Sequence, residues 1–111
     1  MTQQHEYCIV LSTAGSENNR QQIINGLLAA ELAACIQTMP IQSHYVWQGN
    51  VCHEEEWLLV IKTRCDLYPD VESKIIELHD YEVPQVVQVP IADGFNPYLT
   101  WLSQSTLDVK Q

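Results

Sequence analysis

From Cys35 to Arg64 the chain reads CIQTMPIQSHYVWQGNVCHEEEWLLVIKTR, polar and apolar residues alternating on both sides of Gln48-Gly49-Asn50. Alternation at period two marks a strand with one face turned to a core, and Gln48-Gly49-Asn50 supplies the positive-φ residues a hairpin turn needs. One long β-hairpin is predicted. Arms of about twelve residues at ~3.3 Å each span roughly 40 Å, against a radius of gyration near ~13 Å for a domain this size. The far end must therefore overhang the core. It carries Tyr45, Val46, Trp47, Val51 and Trp57, which an open strand edge would leave wet, so another subunit is expected to cover them. Pro40 cannot donate to a ladder and predicts a bulge or an edge position, with a bend.

Around the hairpin the signals change period. Tyr7 to Thr13 reads as a buried strand ended by Gly15, with Ser16 as cap of a helix from Glu17 to Ala34 that turns Ile23, Ile24, Leu27, Leu28 and Leu32 inward. A second helix opens near Asp66, with Pro69 in its first turn and Leu67, Val71, Ile75 and Leu78 on the core side. Pro84 ends that segment, QVVQV makes a short strand, and NPYLTWL restarts a helix capped by Asn96 with Pro97 at its first position. The order is β-α-β-β-α-β with an added C-terminal helix. That is the split βαβ pattern of a ferredoxin-like α+β sandwich, an antiparallel sheet with helices on one face. At 111 residues and 46% hydrophobic content, positions 1–111 suffice for one domain.

Charge narrows the partners. Fourteen acidic against 5 basic residues give a formal net charge of -9, which repels a nucleic-acid backbone. Cys8, Cys35, Cys52 and Cys65 form no Cys-x-x-Cys pair, which argues for reduced thiols in a cytoplasm. The opening MTQQHEYCIVLSTAG has no basic leader region, and its apolar stretch CIVL is too short for a signal peptide or a membrane span. A soluble, unprocessed cytoplasmic protein is expected, with neither nucleic acid nor membrane as partner.

The motifs VLSTA, ELAACIQTMP, HYVWQGNV, LVIKTR, HDYEVPQVVQVP and PYLTWL, in this order from roughly Tyr7 to Gln104, resemble the CutA family of divalent-cation tolerance proteins. The resemblance implies a ferredoxin-like subunit in a tight homotrimer, similar to PII signalling proteins, with hairpins wrapping neighbours. It also implies binding of copper or another divalent cation in metal tolerance, with no required cofactor and no catalytic residue carried over. Two positions depart from the family pattern. Ser12 stands where metal-binding relatives have a cysteine, and a hydroxyl is a poor ligand for Cu(I). Gln85 replaces a glutamate of many relatives, keeping an acceptor oxygen but losing the charge. Leu78, a histidine in some relatives, cannot ligate.

Each candidate residue has a structural reading beside the functional one. His79 ends a helix, where an imidazolium suits the dipole, yet it is also a candidate metal ligand beside Ser12. Lys62, in a mostly apolar strand, demands an anion. With Tyr81, Glu82 and Gln85 it outlines a ligand cleft. The alternative function is accordingly a PII-like module binding a small anion between subunits. Cys52-His53-Glu54, with His44 near the opposite position, cannot place thiol and imidazole on one ion without a bulge, and is read as a surface feature. Glu54-Glu55-Glu56 is read as a solvated edge. Tyr45, Trp47 and Trp57 fit the trimer interface, and Trp101 fits packing. An enzyme would need a base beside Ser12 or Cys35, and the sequence names no such pair.

Overall fold

The alternating segment folds as β2 (Cys35–Trp47) and β3 (Asn50–Arg64), in unbroken antiparallel register from Cys35↔Lys62 to Trp47↔Asn50. Two residues close the turn, Gln48 at φ 50° and Gly49 at φ 80°, the left-handed pair that matches strand twist. Pro40 pairs with Trp57 within that register, so no bulge forms there; it is tolerated because β2 is the edge strand.

The computed structural model describes residues 5–108. β1 (Tyr7–Ala14) lies between β3 and β4 (Val86–Pro90), giving the antiparallel order β2-β3-β1-β4. α1 (Glu17–Ala29) and α2 (Tyr68–Leu78) cover one face. The core between them is made of Cys8, Val10, Leu59 and Ile61 from the sheet and Ile23, Leu27, Val71 and Ile75 from the helices, all 0% exposed. α3 (Asn96–Gln104) takes its contacts from the opposite face: Tyr7 Oη meets Ser103 Oγ at 2.8 Å, and Lys62 Nζ stands 5.5 Å from the Tyr98 ring. No helix among the described residues is long and apolar enough to cross a membrane.

Three boundaries depart from expectation. α1 stops at Ala29 because Glu31 turns left-handed at φ 57°, and the Leu32 and Glu31 N–H groups donate back to the carbonyls of Leu27 and Leu28. Leu32 still reaches the core, from outside the helix, and its carbonyl accepts Thr63 Oγ1 at 2.6 Å. Asp66 caps nothing: a 3-10 turn (Cys65–Leu67) precedes α2, and the carboxylate accepts from Arg64 Nε at 2.9 Å. Phe95, not Asn96, precedes the first residue of α3.

Candidate functional site

The segment HDYEVPQVVQVP is a joint between α2 and β4, and its polar residues are engaged. α2 ends at Leu78, and His79 leaves it in extended conformation with its N–H on the Ile75 carbonyl. Asn19, buried in α1, clamps this end. Its Nδ2 donates to the Leu78 carbonyl at 2.9 Å, and its Oδ1 accepts the Asp80 N–H at 3.2 Å. The His79 ring ties a near residue to a distant one: Nδ1 accepts the Tyr81 N–H at 3.0 Å, and Nε2 meets the Thr13 carbonyl at 2.6 Å. With Nδ1 accepting, the proton must sit on Nε2, which donates to Thr13. β4 begins opposite Ser12, one residue short of Thr13, and His79 takes the place of a strand there.

Tyr81 reaches further. Its hydroxyl donates to Glu56 Oε2 at 2.5 Å, and burial together with that bond holds the phenol above its ordinary range. A Cβ on Gly15 would come within 2.7 Å of this hydroxyl, so the glycine makes room for it. Glu56, expected as part of a solvated run, is 8% exposed. Its neighbour on the same strand face, Glu54, accepts the Tyr45 hydroxyl at 2.8 Å, and that bond leads the causes that push the Tyr45 phenol up to about 12.

Between joint and hairpin lies a groove of about 640 Å³, lined by Thr13, Ser43, His44, Tyr45, Trp47, Cys52, Glu54, Glu56, Tyr81, Glu82, Val83 and Gln85. Among the described residues three carboxylates border it and no Lys or Arg does, so its chemistry favours a cation over an anion. Of the expected cleft residues, Tyr81, Glu82 and Gln85 meet here. Lys62 does not: it pairs with Ile9 and Cys35 toward the other end of β3, against the Tyr98 ring. Tyr45 and Trp47 stand exposed at the free end of the hairpin, whereas Trp57 is half-buried beneath the Arg20 guanidinium, 4.2 Å from the ring centre.

The expected pairing of Ser12 with His79 does not fit a metal ion. Ser12 is 0% exposed in the core face of β1, its Oγ without a hydrogen-bond partner among the described residues, and both His79 nitrogens are engaged. Among the described residues no group of three or more His, Cys, Asp or Glu could hold a metal ion. Asn19, Gly15, Thr13 and Glu56 complete the joint, and none was read from the sequence as a site residue. Ser16 and the glycine mark a turn, but nothing local says that a tyrosine from another segment fills it.

Sheet order and helix placement define a ferredoxin-like α+β protein with an acidic groove beside an overhanging hairpin. Residues 8–105 match the family model described as CutA1 divalent ion tolerance protein. The Divalent-cation tolerance protein CutA of Thermus thermophilus is 39% identical over 99 residues, 88% of this chain and 96% of the relative. Protein CutA, chloroplastic, of Arabidopsis thaliana is 36% identical, and the chain spans about half of it, 54%. The solved structure of CutA1 from the psychrotrophic bacterium Shewanella sp. SIB1 shares 33% identity at a TM-score of 0.91, over 96% of this chain and 100% of that one. The chain belongs to the CutA1 divalent ion tolerance family.

Proposed function

We propose that this chain acts in divalent-cation tolerance as a homotrimer that binds copper or another divalent ion rather than transforming a substrate. The observation that carries the cation reading is the groove, bordered by Glu54, Glu56 and Glu82 with no Lys or Arg on its walls among the described residues, in a chain of formal charge -9. The trimer reading draws on the hairpin. Tipward of Trp57, β3 has β2 as its only strand partner among the described residues, and Val46 and Val51 are 70% and 82% exposed. Burying that end against a second and third copy removes apolar surface from water. Four free thiols accord with a reducing, cytoplasmic location.

Two measurements test this reading. Sedimentation at micromolar concentration should give three times the chain mass, and a stable monomer would overturn the assembly. Calorimetry should show heat with Cu²⁺ and none with a nucleotide; the reverse result would replace the cation reading with the anion-binding one.

A further inference from the structure

His44 and His53 face each other across the hairpin as a registered pair, their ring centres 4.3 Å apart and their planes 13° from parallel. Counting outward from Trp47↔Asn50, which closes the two-residue turn, this pair falls at a non-hydrogen-bonded position, where opposed side chains approach most closely. Both residues are exposed, and among the described residues neither ring makes a hydrogen bond. In this they differ from His79, whose nitrogens are both engaged. Cys52 pairs with Tyr45 on the other strand face, so its thiol does not belong to the same pair. Glu55 and Gln42 form the next pair but one, on the histidine face, about 7 Å along.

We propose that His44 and His53 form a cross-strand chelate for a transition-metal dication of the kind imidazole favours, copper or zinc. Each ring turns about its side-chain torsions to offer one nitrogen at about 2.0–2.1 Å, and water completes the coordination. The strands preset the two ligands, so little freedom is lost on binding, and the net negative charge of the chain concentrates cations around it. The assignment rests on the proposed cation reading for its use in the cell; its chemistry stands or falls on binding alone.

The experiment is a Cu²⁺ titration of the full chain followed by calorimetry and electron paramagnetic resonance. Two equatorial nitrogens are expected in the wild-type spectrum. His44→Ala or His53→Ala should each weaken binding by at least the roughly 10–100-fold that loss of an outer-shell partner costs, with the circular-dichroism spectrum unchanged. His5→Ala should bind as the wild type does. Undiminished binding in the His44→Ala/His53→Ala double variant would overturn the chelate while leaving the cation reading intact, the more directly if His79→Ala abolished binding instead. A wild-type chain that takes up no copper or zinc would overturn both. Should the double variant fail to fold, the nitrogen count in the wild-type spectrum decides: a single nitrogen overturns the pair.

Discussion

The two halves of the β2–β3 hairpin share one alternation and meet opposite surroundings. Near its base β3 runs beside both β1 and β2, and Leu59 and Ile61 are 0% exposed under the helices. Toward the tip its only strand partner among the described residues is β2, and Val51 keeps 82% of its surface. Period two states which residues share a face; it does not state what covers that face. The base is a core element and the tip, in the isolated chain, is a surface awaiting one.

Core truncation should separate the halves most strongly. Leu59→Ala should cost about 2–5 kcal/mol in a urea titration, and Val51→Ala in the dilute chain should stay within about 0.5 kcal/mol. Equal losses would erase the distinction. At the tip the effect should appear in assembly: Trp47→Arg should weaken association by about 2 kcal/mol or more, while Glu55→Lys changes it little, as sedimentation across a dilution series would show. No difference between them would move the interface away from this end.

Where tip and base meet, Tyr81→Phe should destabilise by about 1–3 kcal/mol, because it leaves the buried Glu56 carboxylate without its phenol donor. The folded-state pKa of Tyr81 lies above its unfolded value. Its contribution is therefore full below the unfolded phenol range near ~10 and is lost as pH rises through that range toward the folded value. Denaturant midpoints measured against pH should fall less steeply on the alkaline side in the variant. An unchanged slope would remove Tyr81 from the linkage.

The smallest effect belongs to the turn. Gly49→Ala has open space around its new Cβ but must hold φ 80°, at a cost of about 1 kcal/mol. Hydrogen exchange in the tip should register the loss before that of the base, and simultaneous loosening of both would make the hairpin one cooperative unit.

The sequence by itself determined the element order, the hairpin and its turn, the inward face of α2 and most of that of α1, where Leu28, expected inward, is instead 44% exposed, and the joint at HDYEVPQVVQVP. Each is written in residues close together along the chain: an alternation, a glycine, a proline, a 3.6-residue repeat. Only the tertiary structure decided that Glu56 leaves solvent to meet Tyr81, that Lys62 lies against Tyr98, and that His79 spends both nitrogens on Thr13 and Tyr81. It also turned the chain at Glu31, where a glycine would have been the local expectation. Apart from the Tyr81 N–H, two residues on from His79, the partners in these contacts come from segments far apart in sequence, and local periodicity carries no record of which distant group fills a donor's or acceptor's remaining valence. A polar side chain's chemistry is settled by that neighbour, so the joint could be read from the letters and its use of each nitrogen and oxygen could not.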